Sequence, residues 1–187
     1  MGNWNSHGLR GSYLEETISA VNRIYFDQGL AVVQKVPTPI TPVEYDKGKG
    51  TIKLAYFEKK STVDFIGNIQ GIPVCFDAKE TGTTNLPLYN IHEHQVQFMK
   101  AFTEQDGLAF LIVLFRNEDA SFLLPCEILF HYWDQAREGG RKSIPRCAFE
   151  DQYRIPSQGN IRMHYLESVS VYLSNRDQAR NETAGSH

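Results

Sequence analysis

The stretch that decides the fold of this chain reads STVDF at residues 61–65 and IPVCFDAKE at residues 72–80, with a glycine-rich segment between them at residues 67–71. Asp77 and Lys79 are two residues apart, so on a strand they share one face. The opposite face points into a core and carries Val74, Phe76 and Ala78. The pattern predicts two neighbouring strands, with acids and a lysine placed as in a site that holds a divalent metal beside an activated water.

The residue types in this stretch suit phosphodiester hydrolysis. Carboxylates are hard oxygen ligands suited to Mg²⁺, which binds through one or two carboxylates and substrate phosphate while keeping several waters. A metal-bound water has a lowered pKa, and an adjacent ammonium orients that water or stabilises charge on phosphorus. Asp64 and Asp77 are therefore the predicted metal ligands, with Lys79 beside the attacking water. An Asp-x-Lys triplet is also common at a solvated strand end, but the buried strand before it and the second acid favour a metal-dependent nuclease.

The pairing register of the two strands decides whether the two acids share a face. In an antiparallel hairpin, directly paired residues share a face. A symmetric turn centred on Ile69 pairs Asp64 with Val74 and turns it away from Asp77. A turn shifted by one residue, or a bulge in the glycine-rich segment, brings Asp64 beside Asp77. We predict the shifted register, since the metal site requires it.

A third acid lies upstream on a predicted helix. The segment from Gly11 to Phe26 has apolar residues at helical spacing. Ser12 is the candidate N-cap and Glu15 the third helical residue, which together form a capping box. Glu15 is equally a candidate to face a neighbouring active site, and both interpretations stay open.

A second helix is predicted over residues 91–102, with Asn90 as its N-cap. Gln95 on this helix is a candidate to orient a phosphate or a water, and a purely structural glutamine is the alternative. His92 and His94 would lie on different faces of such a helix. Because no third His or Cys is spaced to complete a tetrahedral set, we do not expect zinc.

The other segments predict further elements of one domain. We expect buried strands at residues 30–33, 107–115 and 121–124, and a helix from Pro125 through Trp133. Residues 175–187 are polar without periodicity and are predicted as a flexible C-terminal tail. Residues 1–174 then form a single domain.

Residues 36–60 interrupt this pattern with prolines and glycines, as an ordinary loop or a hairpin insertion does. Residues 51–57 alternate enough to be its returning strand. Its lysines form the best local basic cluster of the chain: Lys47, Lys49, Lys53, Lys59 and Lys60. The loop at residues 139–143, Gly-Gly-Arg-Lys-Ser, lacks nucleotide-loop spacing, so we expect Arg141 and Lys142 to contact DNA.

Six short blocks occur in order along the chain: RG with LE at residues 10–15, KxPTPI at 35–40, STVDFxG at 61–67, FDAKET at 76–81, LPLxNIHxHQ at 86–95 and GGRKSIP at 139–145. Together they resemble the RecU Holliday-junction resolvases of Gram-positive bacteria and their phages. Six ordered blocks are far more specific than any one of them. Arg10 and Lys35 lie within the matched blocks and are counted among the candidate DNA-binding residues.

The resemblance implies an α/β, restriction-endonuclease-like core of the PD-(D/E)XK type, with a mixed central β-sheet flanked by helices. It places Glu15, Asp64, Asp77 and Lys79 at the family's catalytic positions, with Mg²⁺, or else Mn²⁺, as the metal. Asp77 stands where the family usually has glutamate, which is one methylene longer. Residues 36–60 correspond to a stalk that projects from a homodimer and engages the centre of the junction.

The implied function is a structure-selective endonuclease that resolves Holliday junctions by paired symmetric cuts in recombination and DNA repair, with a recombinase as a further partner. Two alternatives remain. One is a non-catalytic DNA-binding or recombinase-modulating protein of the same fold, against which the intact acids and lysine argue. The other is a nuclease of this fold with a different DNA target.

Composition agrees with this function without selecting it. A chain of 187 residues with 41% hydrophobic content fits one core. The net charge of −3 means that DNA binding requires a local basic surface. Three cysteines without paired metal spacing, and no signal peptide, predict reduced, cytoplasmic thiols. The resemblance implies a nucleoid-associated protein of a bacterial or phage-infected cell. No apolar run reaches the length that spans a bilayer.

Overall fold

The computed structural model describes residues 13–38, 40–57, 62–159 and 161–184. Short 3-10 turns lie at Leu88–Asn90, Arg146–Ala148 and Asp151–Tyr153. In chain order the helices and strands are α1 (Tyr13–Asp27), β1 (Val32–Lys35), β2 (Ile40–Asp46), β3 (Thr51–Phe57), β4 (Phe65–Ile69), β5 (Ile72–Thr81), β6 (Asn85–Pro87), α2 (Glu93–Glu104), β7 (Leu108–Phe115), β8 (Ala120–Pro125), α3 (Cys126–Arg137), β9 (Ser143–Pro145) and α4 (Tyr165–Ala184).

A five-stranded sheet in the order β1-β4-β5-β7-β8 forms the centre of the molecule. Strands β5 and β7 are parallel, with Lys79 opposite Val113, and the other neighbours are antiparallel. Parallel neighbours need a crossover connection, which here contains α2. The predicted mixed sheet flanked by helices is confirmed.

Both faces of the sheet are buried because its central strands are apolar on both sides. On one face, under α1 and α4, the rings of Phe65, Phe76 and Phe110 stack with centroids 4.9 and 4.7 Å apart. On the other face, Leu111 of β7 packs with Met99 of α2 and the helix α3. The predicted strands in β7 and β8 and the predicted helix in α3 are confirmed.

The turn between β4 and β5 consists of Gln70 and Gly71, whose φ angles are 49° and 93°. Positive φ at both positions of a two-residue turn matches the twist of a hairpin. Gly67 is not part of this turn but lies within β4. A Cβ atom on Gly67 would lie 2.2 Å from the carbonyl oxygen of Val32, so glycine is what lets β1 pair with β4 at this point.

Strands β2 and β3 form a separate two-stranded sheet within the stalk, residues 36–60. Among the described residues, this hairpin shares no ladder with the five central strands. The returning strand predicted at residues 51–57 is confirmed as β3. Large apolar side chains are exposed along the hairpin: Ile40, Val43, Tyr45, Ile52, Leu54 and Tyr56.

Two segments differ from the expectation drawn from sequence. The strand expected to be buried at residues 30–33 is instead β1, in which Val32 is 60% exposed. In the described part of the chain β1 is an edge strand that pairs with β4 alone. Residues 175–184, expected as a tail without regular structure, continue α4. Side-chain hydrogen bonds hold this polar half of α4, from Asn175 to Tyr153 (2.8 Å) and from Arg180 to Asp106 (2.8 Å).

Cys75, Cys126 and Cys147 are free thiols, as expected. Across the described ranges, no helix has the length and apolar character needed to cross a membrane.

Candidate active site

The pairing of β4 with β5 brings the two predicted metal ligands onto one face. Phe65 pairs with Phe76, so one step further out Asp64 lies opposite Asp77. Opposite residues of an antiparallel pair share a face. The predicted side-by-side placement is confirmed, and the position of the two-residue turn achieves it without a bulge.

Asp64 is fixed by hydrogen bonds to both neighbouring strands. Its Oδ2 accepts from the N–H of Ala78 (2.9 Å), and its own N–H donates to Oδ1 of Asp77 (3.1 Å). Its carbonyl oxygen accepts from the N–H of Val36 (2.8 Å). The two carboxylates are therefore held beside each other by backbone groups.

Lys79 completes the cluster from the same face of β5. Asp77 is fully buried, and the Lys79 ammonium contacts its Oδ2, with 14% of the lysine side chain exposed. A buried carboxylate needs a compensating charge, which this ammonium supplies. The contact is ionic, since no donor in the described residues points at Oδ2 with hydrogen-bond geometry. Among the described residues, Lys79 is thus the charged partner of this oxygen, which accepts no hydrogen bond.

Gln95 joins the cluster from α2. Its Nε2 donates to Oδ1 of Asp77 (2.9 Å), and its Oε1 accepts from the N–H of His92 (3.0 Å). Each end of the buried amide thus has a partner of the right kind, which determines its orientation. The structure brings the predicted Gln95 into direct contact with a predicted metal ligand.

The expected N-cap of this helix is wrong. Asn90 ends a 3-10 turn, and α2 begins after His92, which has extended backbone angles as an N-cap does. Because His92 precedes the helix, its ring stacks on that of His94 at a centroid distance of 5.4 Å, rather than lying on a different face.

The two carboxyl groups oppose each other's ionisation. Burial is the largest cause that raises the pKa of Asp64 to about 7, followed by the charge of Asp77 and the hydrogen bond between the two side chains. The Ala78 amide and the Lys79 ammonium lower this pKa, but by smaller amounts. Close carboxyl groups of this kind tend to retain a proton between them until a cation replaces it. The site therefore favours binding of positive charge.

Asp64 and Asp77 fit a magnesium ion. Within the described part of the chain, no group of three or more His, Cys, Asp or Glu side chains forms a ligand cluster. Mg²⁺ needs only one or two carboxylates, since water and substrate phosphate complete its octahedron. The unsatisfied Oδ2 of Asp77 and the adjacent carboxyl of Asp64 supply that pair.

The family model for RecU, Recombination protein U, matches residues 9–171 of the chain. The chain belongs to the RecU family. Its similar relatives include the Holliday junction resolvase RecU of Pediococcus pentosaceus, which is 42% identical over 174 residues, covering 90% of this chain and 87% of the relative. The Holliday junction resolvase RecU of Staphylococcus carnosus is 40% identical over 179 residues, covering 93% and 86%. A solved structure of Archaeoglobus fulgidus Hjc, a Holliday junction resolvase, is 9% identical and covers 72% of this chain and 89% of that one with a TM-score of 0.44.

In this RecU chain, two predicted site residues bind each other. Oε2 of Glu15 lies 2.6 Å from Nζ of Lys35. Lys35 pairs with Phe65, so it belongs to the sheet face opposite that of Asp77. Glu15 does not form a three-ligand group with Asp64 and Asp77. A catalytic role of Glu15 and a DNA-binding role of Lys35 stay predictions.

Glu80 is a structural residue of the site region that the sequence reasoning missed. Its Oε1 accepts a hydrogen bond from the N–H of Leu14 (3.0 Å), in the first turn of α1. An acid there also interacts favourably with the helix dipole. The signal was present in the strand alternation, because a residue that follows Lys79 must face α1 rather than the metal site.

The predicted DNA-binding residues of the stalk that the structure describes lie on or near its tip. The carboxylate of Asp46 accepts from the N–H groups of Gly48 and Lys49 and so orders the turn that carries Lys47 and Lys49. Lys53 pairs with Glu44 at 3.2 Å across the hairpin. Lys59 and Lys60, like Arg10, lie outside the described residues.

The second basic loop precedes β9. Arg141 donates to Oδ1 of Asn85 (3.0 Å) and to the hydroxyl of Ser143 (3.0 Å), which ties the loop to β6. Lys142 is exposed, and its carbonyl oxygen accepts from the N–H of Leu88 (3.1 Å). Arg141 thus has a structural function in addition to its predicted contact with DNA.

Proposed function

We propose that this RecU-family protein is a structure-selective endonuclease that cleaves Holliday junctions in recombination and DNA repair. The observation that carries the proposal is the convergence of Asp64, Asp77 and Lys79 on one face of the sheet, in a chain whose relatives are named Holliday junction resolvases. Hydrolysis of a phosphodiester depends chiefly on positioning and on stabilisation of developing charge. A buried and a half-buried carboxylate beside an ammonium support both.

In this proposal the carboxylates of Asp64 and Asp77 would hold Mg²⁺, or alternatively Mn²⁺. When bound, the metal supplies an activated water and neutralises charge on the scissile phosphate. The Asp64 amide, the Gln95 amide and the Lys79 ammonium all contact the Asp77 carboxylate and hold it in place. Because the pKa of Asp64 is raised to about 7, metal binding would be linked to release of a proton from this side chain.

Lys79 has a second task in the reaction. Its ammonium lies against Oδ2 of Asp77, and 14% of its side chain is exposed. From there it orients the attacking water and stabilises the negative charge that develops on the phosphoryl oxygens. Gln95 acts through Asp77, whose carboxylate it holds in one orientation. It is a positioning residue.

The junction selectivity is assigned to the stalk of a homodimer. A four-way junction must be cut on two strands at matched positions, so one site per chain implies two chains related by a two-fold axis. The exposed tip with Lys47 and Lys49 and the exposed rings of Tyr45 and Tyr56 suit contact with the open centre of a junction. A protein with this substrate acts at the nucleoid, in the cytoplasm of a bacterial or phage-infected cell, where a recombinase is a natural partner.

The test is a cleavage assay with Mg²⁺ on labelled four-way junction, linear duplex and flap DNA. Paired symmetric cuts in the junction alone are expected. Asp77→Asn and Lys79→Ala should each abolish cleavage while junction binding stays nearly unchanged, since neither side chain is mainly a source of affinity. Ca²⁺ in place of Mg²⁺ should permit binding without cleavage, because catalysis tolerates less variation in geometry. Cleavage of all three substrates at similar rates would contradict the proposed selectivity, and a wild-type rate in either variant would contradict the site.

A further inference from the structure

A groove with two arginines lies beside the amino end of α1. It encloses about 420 Å³ and is lined by the first turns of α1, the turn between β7 and β8 with the start of β8, and residues 154–157 and 162–163. We call it the arginine groove and define it by its exposed or half-buried polar side chains: Tyr13, Thr17, Asp119, Arg154, Ser157 and Arg162.

The two arginines of this groove differ from most others in the chain. In the described part of the chain, five arginines lie within 4.0 Å of a carboxylate oxygen: Arg23, Arg137, Arg146, Arg176 and Arg180. Neither Arg154 nor Arg162 has such a partner among the described residues. Both side chains are exposed. Arg162 donates to the hydroxyl of Tyr13 at 3.1 Å, which fixes its direction along the groove.

The main chain of Arg154 is held by two hydrogen bonds. Its N–H donates to the carbonyl of Asp151 (3.1 Å), and its own carbonyl accepts from the hydroxyl of Ser168 (3.2 Å). Two guanidinium groups against the single acid Asp119 leave this groove positive in a chain whose net charge is −3. The planar fork of a guanidinium matches the oxygens of a phosphate, so the groove is suited to a phosphate group.

The groove lies close to Lys79, the proposed catalytic lysine. Leu114, which lines it, is opposite Glu80 in the ladder between β5 and β7, and Glu80 directly follows Lys79. Leu14, also in the lining, donates its N–H to the Glu80 carboxylate. The groove and the metal site therefore lie at the same end of β5, on opposite faces of the sheet. A DNA strand that passes over this end meets both.

We propose that the arginine groove binds a backbone phosphate of the junction DNA other than the scissile one. Arg154 and Arg162 hold the arm that leaves the metal site and so determine its direction relative to Asp77 and Lys79. Contacts of this kind carry no sequence information but fix position and register. The inference rests on the proposed function, because it names a second contact of the same substrate.

The experiment compares two double variants that remove equal charge. Arg154→Gln with Arg162→Gln removes the groove arginines, and Arg23→Gln with Arg180→Gln removes two ion-paired arginines elsewhere. Affinity for a four-way junction is measured against salt concentration in Ca²⁺. The groove variant should bind about tenfold more weakly for each arginine removed. The slope of log affinity against log salt should fall by about 0.9 for each phosphate that is no longer neutralised. The matched control should keep the wild-type slope.

A scan with methylphosphonates, which remove the charge of one phosphate at a time, locates the bound phosphate. Wild type should lose affinity at a specific non-scissile position, and the groove variant should be insensitive at that position. Arg154→Lys with Arg162→Lys should restore the salt slope, which separates lost charge from lost folding, and thermal unfolding checks the fold directly. A groove variant with the wild-type slope, or a control pair that loses as much, overturns the inference.

The readout is binding, so it is independent of cleavage. Wild-type protein that binds junctions through the groove but fails to cut them with Mg²⁺ would refute the proposed function and leave this inference standing. If wild-type protein cuts junctions and the groove variant keeps its full salt dependence, this inference is refuted and the proposed function stands.

Discussion

Replacement of Gln95 by leucine tests how much the proposed metal site depends on a residue to which the proposal gives a positioning role. Gln95 is 7% exposed and makes two hydrogen bonds, one to Asp77 and one to the N–H of His92 at the start of α2. Leucine has a similar volume but no polar atoms, so both bonds are lost with little change in packing.

The magnitude follows from the two bonds. A hydrogen bond to an ionised carboxylate contributes about 1.5–3 kcal/mol, and loss of a helix cap costs about 0.5–2 kcal/mol. Because the two bonds share one side chain, their effects are not fully additive, and we expect the free energy of unfolding to fall by about 2–4 kcal/mol. Loss of the donor also removes one of the two hydrogen bonds to Oδ1 of Asp77 and so loosens the carboxylate. A displacement of about 1 Å costs about 100-fold in rate.

The assays are urea unfolding and single-turnover cleavage of a labelled junction at saturating Mg²⁺. Gln97→Leu on the exposed side of the same helix is the matched control and should change neither quantity appreciably. Gln95→Glu separates the two bonds, since it keeps an acceptor for His92 but replaces the donor to Asp77 with a second carboxylate. Its cleavage rate should fall as far as that of Gln95→Leu. A rate near wild type in either Gln95 variant would refute the positioning role.

Three further outcomes are expected. The pKa of Asp64 is raised to about 7, so between about pH 4 and about pH 7 the folded, metal-free protein retains a proton that the unfolded chain has released. The free energy of unfolding in urea should therefore fall as the pH rises through this window. Addition of Mg²⁺ should remove this loss of stability. If stability instead rises with pH there, the assigned environment of Asp64 is wrong. Replacement of residues 41–56 of the stalk by a tight turn should preserve folding and metal binding. In competition binding, the shortened protein should no longer prefer junction to duplex DNA. An unchanged preference would exclude the stalk from junction recognition. Mixing wild-type chains with an excess of Lys79→Ala chains, given subunit exchange, should yield nicked rather than resolved junctions on a native gel, and a stable monomer that makes paired cuts in single encounters would rule out the dimeric mechanism.

The sequence alone was sufficient for the parts of this protein that depend on local pattern. Alternation along β5 placed Asp77 with Lys79 on one face and Phe76 on the other, since side chains of a strand alternate with a period of two. The continuous apolar run of β7 predicted a strand buried on both faces, and the ordered motifs predicted the RecU family that the family model confirms. These features are carried by residues close together in the chain.

Tertiary structure decided what depends on partners distant in sequence. Whether Asp64 faces Asp77 depended on a turn at Gln70 and Gly71, and a shift of one residue there would have reversed the face. The exposure of β1 followed from its place at the sheet edge. The helical conformation of residues 175–184 is accompanied by hydrogen bonds to Tyr153 and Asp106, which are distant in sequence. No local sequence pattern reveals either feature. The bond from Gln95 to Asp77 likewise required α2 to cross the sheet at one particular place. Periodicity determines which face a side chain occupies, but only packing and long-range pairing determine what that face meets.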